Sequence, residues 1–264
     1  MKSIVTFLLI IVVFGANAQD ELLTDRAAVD REFHDLVKAM PSPIKELEDL
    51  RNDHVKYDEH LLSPAGNVSN YESDVAEAIN CGIYLVDFAY LAVFHEQDKM
   101  IEYRALGLEL ASKLDAAEPF HDMLAVDLEH KVKDHEKLKA HIENALYATE
   151  DYLIDNNHLA TASQMLLGSW VETQYILLHS FIREKRPSDV VKQHIVDQQI
   201  YLASLIELVS EFKDEAGMHN ELERLNQLEE SFKKLHTTAD VTDLRAIELV
   251  DEITVLRMDI LAME

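Results

Sequence analysis

Two acidic residues stand in places where a carboxylate is hard to keep. The stretch Asn80-Cys81-Gly82-Ile83-Tyr84-Leu85-Val86-Asp87-Phe88-Ala89-Tyr90-Leu91-Ala92-Val93-Phe94 is apolar on nearly every side, and Asp87 is its only charge. A second stretch, Leu166-Leu167-Gly168-Ser169-Trp170-Val171-Glu172-Thr173-Gln174-Tyr175-Ile176-Leu177-Leu178-His179, holds Glu172 as its one acid. An ionised carboxylate in apolar surroundings is costly unless paired or hydrogen-bonded, so both acids are expected to be largely buried and partnered. On a helix, Asn80, Tyr84 and Asp87 fall on one stripe, and Gly168, Glu172, Tyr175 and His179 share a face. Such residues could act in three ways. They could form a polar network that fixes the register of two helices, with Tyr90, Tyr175, Asn80 or Gln174 as donors. They could line a cleft where Asp87, Glu172 and His179 hold a cation or polar ligand. Or one acid, its pKa raised by burial, could serve as a general base. The candidate ligand-binding residues are Asn80, Tyr84, Asp87, Tyr90, Trp170, Glu172, Tyr175 and His179; no residue is assigned as catalytic.

The two stretches loosely repeat each other. Each has a glycine, then an aromatic residue, then the acid, then a tyrosine three residues on. The aromatic-to-acid step is three residues in one and two in the other. A glycine inside a helix costs about 1 kcal/mol relative to alanine, a cost that is understandable if the helices cross closely at Gly82 and Gly168.

Other chemistry finds little support. Helical di-iron sites need paired Glu-x-x-His motifs; Glu118-Pro119-Phe120-His121 straddles a helix start, and Asp127-Leu128-Glu129-His130 offers an aspartate in place of the glutamate. His130, His135 and His141 sit in a lysine-rich stretch that reads as a solvated face. There is no His-Glu-x-x-His, no Gly-x-Ser-x-Gly elbow and no phosphate-cradling glycine loop. Neither a metal nor a cofactor is expected. Cys81, the single cysteine, has Ile79, Ile83 and Leu85 around it and reads as a buried, inert thiol.

The elements that position these residues are helices throughout. Apolar residues recur at helical spacing and no window alternates with period two. Helices are predicted over about 25–39, a short one opened by Pro43, 71–95, 97–114, a helical region from Pro119 to about 154, 156–182, 189–214, 218–236 and 241–263. Residues 57–70 read as irregular, with a turn at Pro64-Ala65-Gly66-Asn67. In the last two helices Leu222, Leu225, Leu228, Phe232 and Leu235, and then Val241, Leu244, Ile247, Val250 and Ile253, recur at steps of three and four, predicting antiparallel neighbours. The expected fold is all-α, a bundle of about eight to ten helices around two central apolar helices.

Lys2, the apolar run Ile4–Phe14 and the small residues Ala16-Asn17-Ala18 have the order of a secretory signal peptide. The apolar core is short of the ~20 residues that span a bilayer. Residues 1–18 are therefore expected to be cleaved, leaving 19–264 as one helical domain, periplasmic or secreted. No later stretch reads as an integral membrane segment. The net charge of −26 argues against nucleic acid as a partner and against docking to anionic lipid; an envelope protein partner is the alternative that remains.

Several motifs together resemble one family. They are Met40-Pro41-Ser42-Pro43-Ile44, Tyr57-Asp58, Leu61-Leu62, Asn80-Cys81-Gly82-Ile83-Tyr84 with Asp87-Phe88-Ala89-Tyr90, and Gly168-Ser169-Trp170-Val171-Glu172 with Tyr175. This pattern is similar to a set of uncharacterised exported or lipid-anchored helical proteins of Bacteroidota-type bacteria. The resemblance runs from about residue 38 to the end. It implies a helical fold and export, and transfers no mechanism. Cys81 departs from it, standing where a leucine is expected, and so does the lack of a lipid-accepting cysteine.

Three functions follow as expectations. The first is a non-catalytic binding or interaction module of the cell envelope. The second is a small-ligand or metal-binding protein using a cleft between helices 71–95 and 156–182. The third is an enzyme with a buried carboxylate general base.

Overall fold

The computed structural model describes residues 31, 34–35, 42–114, 138–140, 142–144, 151–152, 158–184, 188–212, 214 and 218–264. The chain divides into two compact units, Met1–Met40 and Pro41–Glu264; the architecture below is that of the second. The expected leader 1–18 and most of the helix expected over 25–39 lie outside the described residues, as does most of the region expected from Pro119 to 154.

The fold is all-α, with no strand among the described residues. Helix α1 (Pro43–Asn52) opens with proline in its first turn, where the missing N–H is no loss. Helix α2 (Asp74–Phe94) is capped by the Ser73 side chain, which accepts from the Ala76 N–H, and stops at His95 in a left-handed conformation. Helix α3 (Gln97–Lys113) follows at once. Helix α4 (Leu159–Arg183) is the second long apolar rod. Ser188 caps α5 (Asp189–Ser210), and Thr242 caps α7 (Asp243–Leu261), with α6 (Met218–Phe232) between them. Between α1 and α2 the chain makes two 3-10 turns, Glu59–Leu61 and Ala65–Asn70.

Helices α2 and α4 form the central pair, as their all-round apolarity demands. Every residue of α2 from Val75 to Val93 is buried. Helix α3 packs on α2; α1 lies against α2, α4 and α5; and α4, α5, α6 and α7 pack in a ring. By length and composition α2 could cross a bilayer, which corrects the expectation that no later stretch has that character. Nearly all of it is buried inside the bundle, and a central helix needs the same apolarity that a membrane span does.

The glycines sit at the α2–α4 crossing. A Cβ on Gly82 would land on the carbonyl oxygen of Met165, and one on Gly168 on that of Ile79. Gly82 also faces Ser169, and Gly168 faces Ile83. Each glycine thus meets the residues three before and one after the other glycine. The loose repeat in the sequence is realised here as a local two-fold. The backbones touch, and only glycine leaves room for that.

Helix α7 differs from its expected orientation. Leu222, Leu225, Leu228, Phe232 and Leu235 are buried as expected, but Leu244 is 69% exposed and Ile247 46%. The buried stripe is Ala246, Leu249, Ile253, Leu256 and Ile260, joined by Arg257. This helix is apolar on two faces, and the face turned to the core is the one that carries Arg257.

Candidate functional site

Both acids are fully enclosed: Asp87 and Glu172 are each 0% exposed. Glu172 is met by Arg257 of α7. The Arg257 Nε donates to Oε2 at 2.5 Å and Nη2 to Oε1 at 2.9 Å. This two-pronged pairing uses the planar fork of the guanidinium. Nη2 also donates to Ser63 Oγ at 2.8 Å and to the Leu61 carbonyl at 3.1 Å. The guanidinium carbon lies 4.0 Å from the Tyr175 ring centroid, a cation–π contact in a dry setting. Asp87 accepts the Ser63 N–H on Oδ2 at 3.0 Å. Its Oδ1 has no hydrogen-bond partner.

Two carboxyls and one guanidinium share this enclosure. Burial, and then the neighbouring Glu172, push the Asp87 carboxyl well above the usual carboxylate range, against the opposing pull of Arg257 and Ser63. Burial works against the charge of Arg257, but Glu172 and Asp87 outweigh it and hold the guanidinium above its ordinary value. The enclosure thus holds two carboxyls against one guanidinium, and of the two it is Glu172 that takes the two-pronged contact with Arg257.

The tyrosines do not serve the acids as expected. Tyr84 donates to the Pro64 carbonyl at 2.6 Å, and Tyr90 accepts the Asp58 N–H at 2.9 Å. Tyr103 of α3 donates to the Ser63 carbonyl at 2.5 Å. They grip the segment from 58 to 64, which in turn presents Ser63 to Asp87 and Arg257. Tyr175 gives its ring face to Arg257 and lies 4.3 Å from the His179 ring. His179 Nε2 is 3.0 Å from Thr254 Oγ1 on α7, and burial, then Arg257, lowers its pKa. Asn80 donates to the Ala76 carbonyl at 2.9 Å and to Ile260 O at 3.2 Å, which ties α2 to the end of α7 instead of to Asp87. Cys81 is buried, and burial pushes its thiol up to about 12.

Trp170 belongs to a different place. Its Nε1 donates to Gln198 Oε1 of α5 at 2.8 Å. Gln198 Nε2 then donates to Glu46 Oε1 at 2.8 Å, and Gln174 Nε2 donates to Glu46 Oε2 at 3.3 Å. Glu46, on α1, is 1% exposed, and burial raises its pKa to about 8. His194 of α5 stands beside it, with Nε2 2.8 Å from Asp49 Oδ2 and Nδ1 3.9 Å from Glu46 Oε1. So α4 presents Glu172, Tyr175 and His179 on one face and Trp170 and Gln174 on the opposite one.

Sequence reasoning missed Arg257, Ser63 and Glu46. Arg257 had a signal: it stands on the apolar stripe of Ile253 and Ile260. Glu46 had one too, since it shares the inward stripe of α1 with Leu47 and Leu50. Ser63 lies in a loop and carried none. Among the described residues no group of three histidine, cysteine or acidic side chains could hold a metal ion; most of the histidine-rich stretch from 118 to 141 lies outside them. In comparisons with known proteins, no family model, no curated protein and no solved structure matches this chain.

Proposed function

We propose that the protein is an exported, non-catalytic binding or interaction module of the cell envelope, whose core acids serve the fold. One observation carries this reading: both oxygens of Glu172 are committed to Arg257 inside a fully enclosed core. With Arg257 on both oxygens and no exposed surface, Glu172 is closed to a substrate or a metal arriving from solvent. Asp87 is equally enclosed, with no exposed oxygen through which a substrate's proton could reach it. A ligand cleft between α2 and α4 is disfavoured where the two backbones touch at Gly82 and Gly168. Export to the periplasm or the medium is supported by the leader-like run up to Ala18 and by the resemblance to exported Bacteroidota-type proteins. The net charge of −26 favours a protein partner over nucleic acid or anionic lipid.

The test is native mass spectrometry with elemental analysis, on wild-type protein and Glu172→Gln purified from the natural host. The reading expects a co-purifying polypeptide, identical metal and small-molecule content in both proteins, and a lower unfolding midpoint for the variant. A bound metal or small molecule that disappears in a normally stable Glu172→Gln would overturn it.

A further inference from the structure

Two acids and one arginine meet a second time in this molecule, at the surface. A groove of about 640 Å³ runs between α6 and the end of α7, lined by Asn220, Glu221, Glu223, Arg224, Gln227 and Asp259, with Ala262 and Met263 at one end. Arg224 pairs with Asp259 across it, and both are well exposed, at 38% and 42%. Glu221 is 3% exposed, and its Oε2 has no hydrogen-bond partner. Burial, then Asp259, raises its pKa, with Arg224 opposing. In the core, the matching leftover acid is Asp87, sealed from water. Here the leftover acid lines an open groove beside an exposed ion pair of small net worth, with its Oε2 itself closed to water.

We propose that this groove binds a small organic cation with a primary ammonium head. The ammonium would displace Arg224 from Asp259 and donate to Asp259 and to Glu221 Oε2, while its methylenes lie along Ala262 and Met263. An ammonium has three donors on a compact head and needs only two or three acceptors. A metal such as calcium needs six to eight oxygens, and among the described residues no group of three acidic or histidine ligands comes together. The three acids Glu221, Glu223 and Asp259 outnumber the single Arg224, so the groove favours a cation. This inference goes beyond the proposed function and does not depend on it, because the groove shares no residue with the Glu172 enclosure.

The experiment is calorimetric titration of the full chain with 1,4-diaminobutane at physiological salt, on wild type, Glu221→Gln, Asp259→Asn and the distant exposed-site control Glu248→Gln. The expected result is saturable one-to-one binding that weakens tenfold or more in Glu221→Gln and in Asp259→Asn and is unchanged in the control. Should Glu221→Gln fail to fold, Asp259→Asn alone decides, since its side chain is well exposed. Uptake that does not saturate, or that falls equally in the control, means attraction to the net negative charge and overturns the proposal. So does an absence of binding by wild type.

Discussion

Glu172 and Glu46 are withdrawn from water on opposite sides of α4, and the chain answers them differently. Glu172 receives a guanidinium, a permanent cation, with two bonds. Glu46 receives two carboxamides, from Gln174 and Gln198, and no side-chain cation within hydrogen-bond reach. Carboxamides can satisfy a carboxyl in either protonation state, but they do not offset a negative charge at low dielectric. Asp49 and Asp197 nearby make ionisation harder still. One site is therefore an ion pair that holds α7 to α4 and the 58–64 segment; the other is a proton-dependent clasp between α1, α4 and α5. The general lesson is that burying an acid does not define its role, whereas the type of donor facing it does.

The comparison is broken most directly at Arg257. Arg257→Met leaves Glu172 buried without its counter-ion and is expected to cost about 3–5 kcal/mol by urea unfolding near neutral pH. Replacing both, as Arg257→Met with Glu172→Met, is expected to recover most of that loss, because well-packed apolar residues often match or exceed a buried pair. A double variant as unstable as the single one would show that the pair does more than neutralise itself.

Glu46 sharpens the contrast through pH. Its folded pKa, about 8, lies above the ordinary 4.5. Below pH 4.5 the group is protonated in both folded and unfolded chains. Between 4.5 and about 8 the unfolded chain releases the proton and the folded one keeps it. Stability therefore falls as pH rises, by up to about 1.4 kcal/mol per unit, and the slope vanishes above about 8. Glu46→Gln is expected to remove one proton's worth of that slope and to be more stable than wild type at pH 8. Unfolding free energies at pH 5, 6.5 and 8 would check it; an unchanged slope would mean that Glu46 is ionised in the fold.

Smaller effects are expected at Asp87, where burial and the neighbouring Glu172 push the carboxyl well above the usual carboxylate range. Asp87→Asn keeps an acceptor for the Ser63 N–H and adds no charge imbalance, so it is expected to cost no more than about 1 kcal/mol near neutral pH. A loss as large as that of Arg257→Met would place the charge on Asp87. Smallest of all, Leu244→Ser on the exposed face of α7 is expected to stay within about 0.5 kcal/mol, whereas the helical spacing alone would have placed Leu244 in the core.

That last case shows what the sequence made legible and what it did not. The rods α2 and α4 were readable because saturated apolarity leaves one place for them, and the burial of Asp87 and Glu172 followed. The close approach at Gly82 and Gly168 was readable too, because glycine inside a helix needs a reason. The partner of Glu172 was only half legible: Arg257 stands on an apolar stripe, but it lies 85 residues away, and nothing in that stripe says which acid it meets. Glu46 shares an inward stripe with Leu47 and Leu50, but its neighbours Lys45, Glu48 and Asp49 make the stretch look like open surface and mask that signal. The facing of α7 failed because Leu244 and Ile247 compete with Leu249 and Leu256 for the inside, and helical period cannot choose between two apolar stripes.

The position of Arg257 also bears on how such a molecule comes into being. A polypeptide leaving a ribosome or a translocation pore with its first residue leading delivers Asp87 early, Glu172 later and the arginine last. Until then Glu172 lacks its cation, and closing the central rods would bury it unpaired. The two-pronged contact between Glu172 and Arg257 can therefore close only after nearly the whole chain is present, which makes it a late event in folding.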